Sequence, residues 1–184
     1  MSSDKKREKI VRELFQDMWP HYIWDEGHLE DTPKRFLKML KELTESESFE
    51  FTKFDSSSDE MVIVQNIPFY TFCAHHLLPF HGLAHIAYVP SGQLCGISKL
   101  ARTVKMFSRG LNVQEELTST IAGYIEEQLS PLGVGVIMEA EHLCMTMRGI
   151  EVPGAKTITS SMKGVFLDPK KEARTEFLSL IRSK

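Results

Sequence analysis

Cys73-Ala74-His75-His76 is the stretch with the most chemistry in it. A cysteine and a histidine three apart lie on one side of a single helical turn, so Cys73 and His76 can point at the same atom. Thiolate and imidazole together suit zinc. Adjacent positions on a turn diverge, which leaves His75 free for other work. His142-Leu143-Cys144 is the only comparable cluster. It lies in 134–149, whose β-branched, alternating start reads as a strand. Positions two apart in a strand share a face, so His142, Cys144, Thr146 and Arg148 form one expected row. Cys144 is then the natural third ligand. His142 is either a fourth ligand, giving a closed structural site, or a second free imidazole beside a metal with one open position.

The rest of the chain must position these groups. With 184 residues, one domain with a small appendage is expected, long enough to bury about 70% of its unfolded surface. A net charge of −3 with 42% hydrophobic residues argues against general nucleic-acid binding, which needs a basic excess. No apolar leader follows Met1, and no run approaches the roughly eighteen apolar residues of a membrane span. Three cysteines do not make a disulfide framework and fit a reducing compartment, so a cytoplasmic protein is expected. Cys95 has no histidine neighbour and reads as a small core residue.

Ile10, Val11, Leu14, Phe15 and Met18 form a helix stripe. His21 and His28 read as surface or packing residues. A second helix starts at Thr32-Pro33 and runs to about Leu43, with Arg35 and Lys38 sharing one side, a solvated basic face by the simplest reading. The polar segment 44–60 reads as a loop or linker, which divides the chain into a helical segment, 1–48, and a main domain, 49–184. Met61–Phe72 alternates as a strand, with Gly82–Val89 as its antiparallel partner. Ser98 is a credible N-cap, and Lys99 and Arg102 follow in what reads as the first turn. Cations there oppose the helix dipole, which a bound anion would explain. Gly110 is an expected left-handed helix end. A helix over 113–129 carries Gln114 and Glu115 in its first turn. A strand over 157–166 and a helix from Asp168-Pro169 complete an α+β sandwich, with an antiparallel sheet and helices on one face. Its open edges make oligomerisation through the sheet plausible.

Taken together, Asp31-Thr32-Pro33-Lys34-Arg35, Cys73-x-His75-His76, Gly96-Ile97-Ser98-Lys99-Leu100-Ala101-Arg102, Val113-Gln114-Glu115, His142-x-Cys144 and Met147-Arg148-Gly149 resemble the GTP cyclohydrolase I family, over about 31–182. The resemblance implies the tunnelling fold, with an N-terminal helical arm and subunit sheets joined into a barrel. It implies a homodecamer of two pentameric rings, with sites at subunit interfaces. It implies zinc-dependent conversion of GTP and water to 7,8-dihydroneopterin triphosphate and formate, by attack of zinc-bound hydroxide on guanine C8. By the family pattern Cys73, His76 and Cys144 hold Zn2+, and His75 and His142 are the acid–base pair. Gln114 and Glu115 sit at the purine. Ser98, Lys99, Arg102 and Arg148 meet the triphosphate, joined by Arg35 and Lys38 of a neighbouring subunit. At strand spacing Arg148 would lie about 13 Å beyond Cys144, the reach of a nucleotide from base to phosphates.

Two positions depart from the pattern. Ala74 stands where the family has an acidic residue, which removes a carboxylate near the metal. Leu83 stands where a lysine is common. Two other readings compete: a tunnelling-fold nitrile reductase with a metal-free nucleophilic cysteine, and a non-catalytic zinc-stabilised domain with four protein ligands.

Overall fold

The computed structural model describes residues 3–24, 26–170 and 172–182, in two compact units, 1–45 and 46–184. The first unit holds α1 (Ser3–Met18) and α2 (Thr32–Thr44). Phe15 is the buried residue of α1, and its ring packs 5.1 Å from Trp24 and 5.5 Å from Phe36, centroid to centroid. Helix α2 begins one residue earlier than expected. Asp31 is its N-cap position, without a side-chain cap bond, and Pro33 sits in the first turn, where no N–H is needed.

The second unit carries β1 (Lys53–Asp55), β2 (Val62–Cys73), β3 (Pro79–Val89), β4 (Gln93–Cys95), α3 (Ile97–Ser108), β5 (Leu111–Asn112), α4 (Gln114–Leu129), β6 (Gly133–His142), α5 (Leu143–Thr146), β7 (Lys156–Gly164) and α6 (Ala173–Arg182). The main sheet has the order β5-β2-β3-β6-β7. All its pairs are antiparallel except β2 with β5, so the sheet is mixed where an antiparallel one was expected. Short β1 pairs with β4 inside a region read as loop.

Helices α3 and α4 cover one face. Leu100, Val104, Leu117, Ile121, Ile125 and Leu129 pack there against Ile86, Tyr88, Val134, Val136 and Met138. Each such buried side chain contributes about 2 kcal/mol relative to exposure. Helices were expected on this face only, but α6 packs on the other. Phe177 is fully buried with Ala87, Ile137 and Phe166. Gly135 makes room for it, since a Cβ there would lie 3.0 Å from the Phe177 ring. The last helix starts at Ala173, after a turn at Asp168-Pro169 where a helix start was expected. A cavity of about 700 Å³, lined by Leu83, His85, Glu139, Lys156 and Arg174 among others, includes none of the expected site residues.

One irregularity decides where the chemistry points. Val62 and Val64 face α3 and α4, and Ile63 faces away. Beyond the bulge at Gln65-Asn66 the inward residues are Ile67, Phe69 and Cys73. The pairing steps from Val64↔Ile86 to Ile67↔Ala84, so two β2 residues oppose His85 alone. An extra residue reverses the parity of everything after it. Without it Cys73 would face away from α3 and α4. Asn66 adopts φ 60°, a left-handed conformation that asparagine tolerates better than most residues. Its N–H donates to Nδ1 of buried His85 at 3.3 Å. Burial holds the His85 imidazole below its ordinary pKa, against the pull of Glu139, which favours the neutral acceptor.

Asn66→Gly should therefore keep fold and metal uptake. Asn66→Val should cost about 1–2 kcal/mol, a Tm loss of roughly 2–8 °C for a chain this size. Deleting Asn66 should abolish stoichiometric zinc uptake, and one zinc per chain in the deletion variant would contradict this account.

Candidate metal centre and active site

Cys73 ends β2, and the chain closes at once on itself. Leu77 N–H donates to the Cys73 carbonyl at 2.9 Å, and Cys73 N–H donates to the Leu78 carbonyl at 2.8 Å. Residues 73–77 thus make one helical turn that does not propagate, with Leu77 at φ 54°. Cys73 and His76 share a side of that turn, and Cys73 Sγ lies 3.6 Å from His76 Nδ1. His75 diverges less than expected. Its Nδ1 is 3.9 Å from the same sulfur, with the two imidazole centroids 6.2 Å apart.

The second cluster departs from its expected form. Strand β6 stops at His142, and Leu143–Thr146 is a helical turn. The row of His142, Cys144, Thr146 and Arg148 therefore does not exist, and neither does the 13 Å strand spacing from Cys144 to Arg148. The switch from extended to helical backbone separates His142 from Cys144. Cys144 joins Cys73 and His76 in a group whose ligand atoms all lie within 4.8 Å of one another. His142 goes elsewhere. Its Nε2 is 2.7 Å from Gln114 Oε1, and its ring stacks on Phe80 at 4.3 Å and 7°. Burial holds its pKa below the ordinary value, while Glu115 pulls it up.

Two sulfurs and one imidazole nitrogen suit zinc. With Zn–S near 2.3 Å and Zn–N near 2.1 Å, sulfur and nitrogen on a tetrahedral ion stand about 3.5 Å apart. The 3.6 Å between Cys73 and His76 matches that edge. Burial, and then the neighbouring Cys73 sulfur, push the Cys144 thiol up. Two adjacent thiolates without a cation repel, and a divalent ion removes that penalty. The donor set fits zinc.

The remaining expected residues are placed as follows. Helix α3 begins at Ile97 with Gly96 as N-cap, so Ser98 and Lys99 lie in the first turn and Arg102 one turn later. Ser98 and Arg102 are exposed. Lys99 Nζ donates to the Glu50 carbonyl at 2.9 Å and lies 5.9 Å from the centre of the Phe49 ring. Glu115 is exposed in the first turn of α4, whereas its neighbour Gln114 is 1% exposed. Arg148 is exposed just past α5, near enough to Cys144 to draw its thiol pKa down. Arg35 and Lys38 lie on α2 of the first unit. Arg35 donates to the His28 carbonyl at 2.6 Å, and Lys38 pairs with Glu42 at 3.6 Å. Phe80, Thr118 and Thr159, all in the surroundings of His142 and Gln114, escaped the sequence reading. Only Phe80 left a signal there, as an apolar residue opening the strand that follows the cysteine-histidine turn.

The GTP cyclohydrolase I family model matches residues 8–182. The chain belongs to the GTP cyclohydrolase I family. A GTP cyclohydrolase 1 of Hydrogenobaculum sp. (strain Y04AAS1) is 48% identical over 180 residues, covering 96% of this chain and 98% of the relative. That of Sulfurihydrogenibium sp. (strain YO3AOP1) is 51% identical over 157 residues, covering 84% and 83%. That of Aquifex aeolicus (strain VF5) is 45% identical over 184 residues, covering 99% of both. Membership thus extends into α1, upstream of Asp31 where the sequence resemblance began. No helix among the described residues is long and apolar enough to cross a membrane.

Cys144→Ala should lose both metal and turnover, because it removes one of three donors. His142→Ala should keep zinc and lose turnover. Metal content by mass spectrometry alongside activity separates the two, and release of zinc from His142→Ala would make His142 a ligand.

Proposed function

We propose that this protein converts GTP and water to 7,8-dihydroneopterin triphosphate and formate. Family membership supports the reaction. The observation that carries the site is that Cys73, His76 and Cys144 converge while His142 is held by Gln114. Three donors leave a tetrahedral ion one position short, which is the catalytic arrangement.

Cys73, His76 and Cys144 would hold zinc, whose Lewis acidity makes water a nucleophile near neutral pH. The other groups bind the nucleotide and move protons. Opening the imidazole ring of guanine at C8 needs a proton delivered to nitrogen and one removed from oxygen. His75 and His142 are the candidate groups, and imidazoles suit both tasks near neutral pH. Glu115 offers two acceptor oxygens to the N1–H and exocyclic amine of guanine. Adenine lacks that pair of donors, so the same carboxylate discriminates against it. Ser98, Lys99, Arg102 and Arg148 bind the triphosphate, with α3 contributing the backbone N–H groups of its N-terminus. Lys99 would exchange its Glu50 carbonyl for phosphate oxygen.

The oligomer follows from the sheet. Strand β7 ends the β5-β2-β3-β6-β7 order and has one ladder partner, β6, among the described residues. An open edge of nine residues is a liability unless another chain pairs with it. We read the assembly as the family's homodecamer in the cytoplasm, with Arg35 and Lys38 reaching a neighbouring subunit's triphosphate. Ala74 takes a carboxylate away from the metal without removing a donor, so activity is retained. A closed zinc domain would need His142 as a fourth ligand, and the group of converging ligand atoms holds Cys73, His76 and Cys144 without it. A nucleophilic cysteine would need a thiol outside the donor group, and Cys73 and Cys144 are both in it.

Zinc-loaded protein incubated with GTP should release formate in equal amount with a product that becomes a fluorescent pterin on oxidation. Intact GTP after prolonged incubation would overturn the assignment. Arg148→Ala should weaken GTP binding much more than guanosine binding, and equal losses would remove Arg148 from the phosphate site.

A further inference from the structure

We infer that Gln114 acts on His142 and not on the purine: it is a positioning residue that locks the histidine in one tautomer. The inference rests on the reading of His142 as an acid–base group. It starts from which way the Gln114 amide must face. Its nitrogen lies 3.1 Å from the Met138 carbonyl and 3.0 Å from the Thr157 carbonyl. Backbone carbonyls only accept, so the NH2 end must face them. The oxygen end is then turned to His142, 2.7 Å from Nε2.

The surrounding hydroxyls agree with that orientation. Thr118 Oγ1 donates to the Gln114 carbonyl at 2.7 Å. Its lone pairs are then open to the Thr159 hydroxyl, 2.6 Å away. Thr159 Oγ1 in turn can accept from Gln114 Nε2 at 3.2 Å. The two amide hydrogens are shared among three acceptors, and each threonine hydroxyl has one acceptor to donate to. An amide oxygen cannot donate, so Nε2 of His142 must carry the proton, and Nδ1 keeps the lone pair in the neutral ring. Phe80, stacked 7° from parallel, holds the ring plane.

Gln114 is 1% exposed, and both ends of its amide are engaged within the fold. Reaching a base would break this network. Exposed Glu115, the next residue, is the one available to the purine edge. The register delivers the arrangement. Met138 and His142 lie on one face of β6, and Thr157 and Thr159 lie on β7 beside Ala140 and Met138. The first residue of α4 descends onto that corner.

The test combines kinetics with 15N NMR of ring-labelled histidine, at one fixed pH, with His142 assigned by its loss in His142→Asn. The wild-type protein should show Nε2–H and bare Nδ1 for His142. Gln114→Met should give mixed tautomers and lower kcat by about 10- to 100-fold, with KM for GTP within about twofold. Should Gln114→Met fail to fold, Gln114→Glu carries the same test. The two carbonyls favour the neutral acid, whose O–H donates to one of them while its other oxygen still accepts from Nε2–H, so the tautomer should persist, again with KM within about twofold. A KM raised tenfold or more with kcat unchanged in either variant would make Gln114 a purine contact and overturn the inference. So would Nδ1–H on His142 in the wild type, even with GTP turnover intact. If instead the wild type shows the expected tautomer but never turns over GTP, the positioning stands and the proposed reaction fails.

Discussion

Two strands that are not neighbours must deliver sulfur to one point on one face of the sheet. Cys73 ends β2 and Cys144 follows β6, with β3 between them. A strand alternates its faces, so each delivery depends on counting residues correctly. In β2 the count is corrected by one extra residue at the Gln65-Asn66 bulge. In β6 the strand stops at His142, and a helical turn swings Cys144 to the cluster. The backbone bond from Asn66 to His85 holds the first correction, and the bond from His142 to Gln114 accompanies the second. The first irregularity sits where regular strand geometry would have turned Cys73, a candidate ligand, to the other face.

Two of the histidines near the cysteines, His76 and His142, are treated differently by the fold. His76 is exposed on a closed turn whose own hydrogen bonds orient it toward Cys73. His142 is half-buried, stacked and bonded through one nitrogen. A ligand must be brought to the ion, whereas a proton carrier must be kept off it with one nitrogen in reserve. The proposed division of labour between metal ligands and acid–base groups follows from this contrast.

Much of the site was legible from residue types. Cys73, His76 and Cys144 stood out because soft donors at short spacing have few other uses, and three apart is one turn whether or not a helix continues. The helices were legible from their apolar stripes, as in α4 with Leu117, Ile121, Ile125 and Leu129. What escaped was whatever tertiary contact decides. Strands β1 and β5 have three and two residues and exist only through their partners. The helical turn at Leu143–Thr146 carries no cap or breaker to announce it. The face covered by α6 depends on Gly135 leaving room for Phe177. The bulge did leave a trace: inward residues run Val62, Val64, then Ile67, Phe69, an alternation that slips by one. Spacing does not separate the competing readings of His142, fourth ligand or free imidazole, because whether its ring joins the donor group depends on where the turn after β6 sends Cys144.

X-ray absorption at the metal edge of the zinc-loaded protein tests the central claim most directly. Two sulfurs and one imidazole at bonding distance, with one further light atom that exchanges for added small anions, is the predicted result. Two sulfurs with two imidazoles and no exchangeable position would contradict it.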